Sequence, residues 1–460
     1  MAAFSIKFFG VSEWAVRLPS ALFGVLTVLI TYFLVKELLG KKYALLSSFL
    51  LAVSPWHIQL SRAAFEANVA TFFTAACVWL FLKAINGKPR FLLLSVVSAV
   101  FSIYTFNTPR VFVPLLFVCL TFLYKQKLWQ IKRQVAYSII LGFILMLPLL
   151  PHLMSNQAKL RYQEVNIFSD SSIVKEANAR QEEDSNNLLS KLLHNRRWYY
   201  VGAFAKHYLD EFSGRFLFIR GDQNSKFSLQ TCGELWIIEL PFLLGGFYFL
   251  IKNKERHWKL LLLWMFIASI PAATARETPH ALRSEVILPT FQIIIAYGFV
   301  NFLQNQKFKN LLIIFTALFL LIEGFYFYHD YRYHYLSTYS QDWNEGTKQI
   351  VNDIKNNENK YDRIIVSTKY GRPYIFFLFY RQYPLERYLS TRKYRQNFVG
   401  VYEIDGFDKY EFRDIDYNED RKLKKTLLVG LPEDFSSEQK AIFSSYFYDG
   451  RIAFKAVETQ

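Results

Sequence analysis

The side chains best suited to chemistry in this sequence are a few charged residues between long apolar runs. The segment Ser54–Glu66 ends with Arg62 and Glu66, and their spacing of four residues predicts that they share one face of a helix. Charged groups beside apolar runs of membrane length are often functional, so this pair could face a substrate cavity. It could equally form an ordinary ion pair, and the sequence leaves both interpretations open.

A second set of charged residues lies between two apolar runs and is denser than an ordinary turn requires. Within ten residues it contains Arg276, Glu277, His280, Arg283 and Glu285. Arginine is well suited to bidentate contacts with phosphate, and a histidine three residues away could add a hydrogen bond if the segment is helical. Arg110, at the start of another apolar run, could bind phosphate in the same way or contact lipid headgroups.

Other patterns of chemical interest are weak in this sequence. The segment Arg220–Ser225 has the composition of a turn and contains Asp222 and Asn224. The sequence has no glycine-rich phosphate loop, no metal-ligand cluster at a recognised spacing and no serine–histidine–aspartate signature. Its three cysteines are far apart, which argues against a disulfide framework.

The elements that must position these residues are apolar runs long enough to cross a membrane. A bilayer core requires about 20 apolar residues per helix. Buried core helices would not explain ten such runs in one chain. The predicted spans are 14–36, 43–61, 67–83, 90–106, 110–124, 135–153, 235–251, 258–275, 284–303 and 310–329. The sequence therefore predicts a mostly α-helical, polytopic membrane bundle with about ten spanning helices.

The distribution of basic residues predicts how this bundle is oriented. The 460-residue chain has a formal net charge of +16 and 52% hydrophobic residues. Every second link between the runs is basic, and five such links hold 16 Lys and Arg against two acids, which accounts for +14 of the +16. Basic links face the cytoplasm. The charge therefore indicates topology, with no nucleic-acid partner, and the apolar content excludes a disordered chain.

Two regions are predicted to lie outside the membrane on the extracytoplasmic face of the plasma membrane. Residues 154–234 form a long polar loop within a membrane domain that covers residues 1–330. Residues 331–460 alternate helix-like and strand-like patterns, which predicts a small α/β domain. In that domain we expect helices at 342–357 and 436–446 and strands at 362–368, 425–429 and 451–457.

The order of several motifs resembles the GT-C glycosyltransferases, in particular the protein O-mannosyltransferases and lipid A aminoarabinose transferases. The motifs are Glu13–Gly24, Ser54–Glu66, the Gly221–Asn224 turn, and Pro279–Arg283 followed by Pro289. The resemblance covers about residues 1–330. It implies an enzyme that takes a sugar from a polyprenyl-phosphate carrier. The sugar would pass, with inversion, to a hydroxyl of a protein, a lipid or a cell-envelope glycan. It implies no cofactor and no divalent metal.

The resemblance also implies roles for the residues singled out above. Glu66 matches the second acidic position of the family and would act on the acceptor, whereas the main catalytic base is expected upstream of residue 1. The residues expected at the donor phosphate and sugar are Arg62, Arg110, His280 and Arg283. Those expected to contact the acceptor or shape the loops are Arg276, Glu277, Asp222 and Asn224.

The N-terminus departs from the family pattern, because members begin with a spanning helix and a loop that carries the catalytic acid. The predicted topology leaves residues 1–13 outside with no helix to deliver them, so we expect this chain to lack its true N-terminus. Two other function classes remain open: a transporter or flippase of lipid-linked sugars, and an inactive membrane scaffold. A transporter would show inverted repeats and charges near the bilayer midplane, whereas the charges here lie at the ends of the runs.

Overall fold

The computed structural model describes residues 1–304, 307–396, 402–436 and 438–459. The chain divides into two compact units. One comprises Arg17–Tyr328 with Met1–Ala2, and the other comprises His329–Gln460 with Ala3–Val16. The division near residue 328 lies close to the predicted end of the membrane domain, whereas residues 3–16 group with the C-terminal unit.

The described chain up to residue 329 is built from helices. In chain order they are α1 Ala2–Phe9, α2 Glu13–Leu38, α3 Lys41–Ala52, α4 Pro55–Ser61, α5 Glu66–Ile85, α6 Phe91–Thr105, α7 Pro109–Gln130, α8 Lys132–Met146, α9 Leu150–Leu153, α10 Asn156–Val165, α11 Ser171–Glu183, α12 Leu188–Leu193, α13 Arg196–Asp210, α14 Leu240–Asn253, α15 Trp258–Ala268, α16 Ile270–Ala273, α17 Ala281–Ser284, α18 Thr290–Gln304 and α19 Lys309–His329. The prediction of a mostly helical chain is confirmed.

Each predicted apolar run contains a helix, but the helices differ in length and straightness. Among the described residues, five are long and apolar enough to cross a membrane, or seven if each of two bent pairs forms one span. The first pair, α3 and α4, meets at 57° before Pro55, and the second, residues 281–287 and α18, meets at 56° at Pro289. Proline breaks a helix because it has no N–H to donate. Three further runs form helices shorter than 18 residues, so length and composition support fewer full spans than the ten predicted.

Helix α5 lies at the centre of the first unit. In its most apolar window 78% of the residues are buried within the protein, against 6% for residues 309–338. Polar side chains join α5 to α6, where Ser95 Oγ donates to the carbonyl of Cys77 at 2.8 Å and Ser102 Oγ donates to that of Ala70 at 3.1 Å. Such small polar residues let two membrane helices approach closely.

The second unit is a mixed α/β layer, as predicted for the C-terminal region. Its helices are α20 Leu336–Thr338, α21 Thr347–Asn357, α22 Tyr374–Tyr380, α23 Leu385–Thr391 and α24 Tyr417–Asp420. Its strands are β1 Arg363–Val366, β2 Lys393–Gln396, β3 Tyr402–Phe407, β4 Tyr410–Phe412, β5 Thr426–Gly430, β6 Phe443–Tyr446 and β7 Ile452–Glu458. They form one sheet in the order β2-β3-β4-β1-β5-β7-β6. Strand β1 runs parallel to both β4 and β5, and the other pairs are antiparallel.

The sequence patterns of this unit were correct at β1, β5 and β7, and one was wrong. The helix expected at 436–446 is absent from the described residues of that range, where residues 443–446 form β6 instead; Ser437 lies outside the described residues. Strand β6 pairs with β7 along its whole length. Backbone hydrogen bonds to a neighbouring strand therefore decide the conformation here, and a short apolar pattern cannot reveal that neighbour.

Two glycines set the distance between α14 and α18. A Cβ atom at Gly298 would collide with the carbonyl oxygen of Phe242, and one at Gly246 would collide with that of Ile294. Both carbonyl oxygens belong to the backbone, so no side-chain rotation relieves the clash.

Substitution Gly298→Ala is therefore expected to destabilise the first unit by about 1–3 kcal/mol, the usual cost of overpacking. The melting temperature of the purified protein in detergent should fall by several degrees. Gly324→Ala is the matched control, since Gly324 is also helical and has open space around its Cβ position. Equal melting temperatures for the two variants would contradict the close-packing explanation.

Candidate active site

The structure brings together the three polar motifs Ser54–Glu66, Gly221–Asn224 and Pro279–Arg283, which are far apart in the sequence. The indole Nε1 of Trp56 donates to the carbonyl of Ala281 at 3.0 Å, and this tryptophan is fully buried. The first motif is thereby fixed against the third.

A side-chain relay connects Arg62 to the backbone just after the second motif. The guanidinium Nε of Arg62 donates to Gln59 Oε1 at 2.9 Å, and Gln59 Nε2 donates to the carbonyl of Lys226 at 3.1 Å. Gln59 is buried, whereas its two partners are partly exposed, so both hydrogen bonds are partly shielded from water. The relay fixes the direction of the Arg62 side chain.

The carboxylate of Asp222 joins the second motif to the third. Its Oδ2 accepts the backbone N–H of Ala281 at 2.7 Å, and its Oδ1 accepts that of Asn224 at 2.7 Å. Its own N–H donates to Glu234 Oε1 at 3.1 Å. The preceding Gly221 has a φ of +70°, and a Cβ there would press against Ser228 and Glu234. Asp222 was expected to contact the acceptor or to shape the loops, and in the structure both of its oxygens hold loop backbone.

Glu211 and Phe227 complete this network around His280. Glu211 Oε1 accepts the backbone N–H of His280 at 3.0 Å. The ring of Phe227 stacks on the imidazole of His280 with centroids 5.1 Å apart, and it also contacts Phe65 at 5.4 Å. The imidazole Nδ1 lies 3.7 Å from Asp222 Oδ2. His280 is thus held by ring packing and by the hydrogen bond from its backbone N–H to Glu211, while its Nδ1 has no hydrogen-bond partner among the described residues.

Burial determines the protonation of this network. Desolvation raises the pKa of Glu211 to about 8 and that of Asp222 to about 6. The backbone N–H groups that donate to these carboxyls lower the two pKa values, but desolvation outweighs them. It also raises the pKa of Glu234 well above its usual value. Desolvation, followed by the nearby Arg283 cation, lowers the pKa of His280 to about 3. The histidine is therefore neutral near pH 7, while Glu211 keeps its proton.

An open groove of about 750 Å³ begins at Arg62 and follows the helices of the first unit. One wall is a face of α2 from Ala21 to Tyr32, about 16 Å at 1.5 Å per residue. The other wall is formed by α3 and α4 and includes His57 and Arg62. The groove is thus mostly apolar, and its charged group is Arg62 at one end; His57 and Ser61 lie near that end, and Ser48 and Tyr32 are the polar side chains further along. His57 Nε2 donates to the carbonyl of Gly24 at 3.0 Å and ties α4 to α2 there.

Arg62 and Glu66 do not share one helix, so the prediction of a common helical face is wrong. Helix α4 ends at Ser61, residues 62–64 form a turn, Phe65 is extended, and Glu66 is the first residue of α5. Glu66 is exposed, whereas Arg62 is partly buried. The break lets each side chain take its own direction.

The remaining predicted residues have different surroundings. Arg110 lies in the first turn of α7 and is partly buried, and its Nε has no hydrogen-bond partner among the described residues. Arg283 lies in α17 beside His280. Arg276 donates to the carbonyls of Asn166 and Ser169, among others, which makes it a clamp for the large loop.

Two other predicted loop residues also differ from each other. Glu277 is exposed. Asn224 accepts the backbone N–H of Lys226 at 3.0 Å and so stabilises its own turn.

Sequence inspection did not identify the buried acids Glu211 and Glu234, each of which is 1% exposed. Glu285 was named only as a member of the charged set between two apolar runs, and it is fully buried. The only signal in the sequence is their apolar context, since Phe212 follows Glu211 and Leu235 follows Glu234. Within the described ranges, no three His, Cys, Asp or Glu side chains are arranged to hold a metal ion.

The comparisons with known proteins agree with this architecture. Residues 1–154, about a third of the chain, match the family model described as dolichyl-phosphate-mannose-protein mannosyltransferase. YkcB of Bacillus subtilis (strain 168), described as a candidate mannosyltransferase, is 39% identical over 90 residues. This match covers 19% of the chain and only 13% of YkcB.

Solved structures extend the similarity to the whole fold. ArnT from Cupriavidus metallidurans in the apo state matches with a TM-score of 0.54 and 10% identity, over 99% of this chain and 86% of that chain. The structure of the same protein bound to undecaprenyl phosphate has a TM-score of 0.52 at the same identity and coverage. The chain therefore has the fold of the GT-C glycosyltransferases, which are membrane proteins.

The buried carboxyls predict a pH dependence of stability. A carboxyl with a raised folded pKa keeps its proton where the unfolded chain has lost it, so stability falls as pH rises from the unfolded to the folded value. Between pH 6.5 and 8 the contribution of neutral His280 to stability no longer changes with pH. Loss of the Glu211 proton should still lower the melting temperature as pH rises through this range. Glu211→Gln, which retains an acceptor for the His280 N–H, should show a smaller decrease over this window.

The control is Glu183→Gln, an exposed acid of the same large loop. It should follow the wild-type profile. If Glu211→Gln also shows the wild-type dependence of melting temperature on pH, the claim that Glu211 is protonated in the folded protein is refuted.

Proposed function

We propose that the protein is a membrane glycosyltransferase that moves a sugar, with inversion, from a polyprenyl-phosphate carrier to a hydroxyl of a protein, lipid or cell-envelope glycan. The single observation that carries this proposal is the apolar groove that ends at Arg62. The description of the matched family model and the undecaprenyl phosphate bound to ArnT support the same donor class.

The groove fits a donor that has a long hydrocarbon part and an anionic head. Its apolar walls along α2 and α3 would hold isoprene units, since burying apolar surface is favourable in proportion to its area. Its polar end presents the Arg62 guanidinium, whose planar donors match phosphate oxygens. The Gln59 relay holds that guanidinium in place, so little ordering of Arg62 would be required when the donor binds.

The transfer step needs a cation near the leaving phosphate and a base near the acceptor. The acceptor oxygen attacks the anomeric carbon from the side opposite the phosphate, the bond between that carbon and the phosphate oxygen breaks, and the electron pair leaves with the lipid phosphate. A carboxylate removes the hydroxyl proton. Arg62, Arg110 and Arg283 are the proposed stabilisers of the phosphate charge.

The other residues have supporting roles in this proposal. Glu66, exposed at the start of α5, would orient the acceptor. Neutral His280 would offer a hydrogen bond to the donor sugar or phosphate from a position fixed by Glu211 and Phe227. Arg276, Glu277, Asp222 and Asn224 would shape the loops that border the acceptor. The proposed location is the plasma membrane, with the large loop and the C-terminal unit extracytoplasmic and the basic links cytoplasmic.

Transfer of a labelled sugar from a polyprenyl-phosphate donor, measured with the purified protein in lipid nanodiscs, tests this function. Arg62→Ala should lower the rate by about 100-fold, because a preorganised cation at developing negative charge is worth that much. Arg62→Lys should retain part of the activity. Arg180→Ala, an exposed arginine of the large loop, is the matched control and should leave the rate unchanged.

Two outcomes would contradict the proposal. One is full activity of folded Arg62→Ala, which would exclude the phosphate role. The other is movement of the labelled lipid across the bilayer by a protein that never transfers its sugar, which would identify a flippase.

The proposed reaction requires no metal. Transfer should therefore continue in excess EDTA at within about twofold of the untreated rate, since the cations that stabilise the phosphate are arginines. Loss of activity in EDTA, with recovery on adding a divalent ion, would show that this part of the proposal is wrong.

A further inference from the structure

The C-terminal unit contains a polar cavity of about 300 Å³ that the proposed transfer reaction does not use. It lies at the carboxyl ends of two parallel strands. The loop after β1 contributes residues 368–374, and Phe412 ends β4. In open α/β sheets, ligands bind in the crevice outside the carboxyl ends of the strands. The topology of this unit therefore places the cavity where such sheets hold small molecules.

The gap itself arises from the unequal lengths of β3 and β4. Strand β4 pairs with β3 only at residues 406–407, while β3 extends back to Tyr402 along β2. The first half of β3 thus has β2 on one side and the cavity on the other. Glu403, Ile404 and Asp405 of this half line the cavity.

The charged groups of the cavity are balanced and are positioned on one face of the β2–β3 hairpin. Arg395 lies opposite Glu403 in the ladder, and alternate residues of a strand share a face. Its Nε is 3.5 Å from Glu403 Oε2 and 3.1 Å from Asp405 Oδ1. Arg372 adds a second, exposed guanidinium from the loop side. Two guanidinium groups and two carboxylates give a formal charge of zero.

Uncharged polar and aromatic side chains form the rest of the cavity lining that can contact a ligand. The phenol ring of Tyr374 lies against Phe412 with centroids 6.4 Å apart. Thr368 donates through its hydroxyl to Asp414 Oδ1 at 2.8 Å and retains acceptor capacity. The cavity thus offers hydrogen-bond donors, acceptors and an aromatic ring together.

This combination discriminates among ligand classes. A phosphate or a nucleic acid would meet two carboxylates, and a metal ion would meet two guanidinium groups. A sugar has no charge, carries hydroxyls that both donate and accept, and presents an apolar ring face that can pack on an aromatic side chain. We propose that this cavity binds a neutral saccharide unit of a glycan, as a site separate from the transfer chemistry of the first unit.

The test is equilibrium binding of mannotriose, maltotriose and cellotriose to the full chain in nanodiscs without lipid donor. Binding is measured by saturation-transfer NMR and by calorimetry. Saturable binding of at least one trisaccharide is expected. Arg372→Ala, a change at an exposed side chain, and Glu403→Gln, which keeps an acceptor for Arg395, should each weaken it about fivefold, the worth of one hydrogen bond. Arg421→Ala, an exposed arginine of the same unit that does not line the cavity, should bind as the wild type does.

Several outcomes would overturn the proposal. They are no saturable binding of any trisaccharide, equal binding by both cavity variants and the wild type, or binding of inorganic phosphate or glycine in place of the sugars. Arg62→Ala separates this site from the transferase proposal, since it should lower the transfer rate about 100-fold and leave trisaccharide binding intact. If transfer fails but trisaccharides bind, only the transferase proposal is refuted. If binding fails but transfer occurs, only the proposed saccharide site is refuted.

Discussion

The carboxylate of Asp222 accepts the backbone N–H of Ala281, which lies 59 residues further along the chain. This one contact holds the turn after Gly221 against the start of α17, and the neighbouring bonds depend on the same geometry. Trp56 reaches the carbonyl of Ala281, and Glu234 accepts the N–H of Asp222. A buried N–H without a partner would cost about 1–3 kcal/mol. The carboxylate therefore determines where two loops and the first polar motif can meet.

Concentrating acids in this place has an electrostatic consequence. Burial raises the pKa of Glu211, Asp222 and Glu234, and the nearby charge of Asp222 raises the pKa of the other two further. The network is tolerated because backbone N–H groups donate to several of the carboxyl oxygens, and carboxyls with a raised pKa keep their protons and so carry no charge. Neutral His280 fits this environment, since its imidazole needs no counter-charge. Arg283 lies beside the network, and its charge contributes to the lowered pKa of His280.

Proline breaks in the helices give the site its shape. Because the helix that begins at Lys41 bends at Pro55, α4 turns its polar residues toward α2 while α3 continues as an apolar wall. A straight helix would place Arg62 and His57 further along the same axis. In the second unit a different local irregularity has a comparable effect: β4 is shorter than β3, and a polar cavity occupies the space that it leaves.

The sequence by itself determined the helical class, the positions of the apolar runs, the central strands and the three polar motifs. These follow from local periodicity and composition, which require no knowledge of distant residues. It did not determine the helix break between Arg62 and Glu66, nor the pairing of residues 443–446 as a strand. It also missed Glu211 and Glu234, whose significance lies in being buried beside His280 and Asp222. Only the tertiary structure decided these features, because they depend on hydrogen bonds and desolvation between segments that are distant in the chain, and no local pattern records which segments will meet.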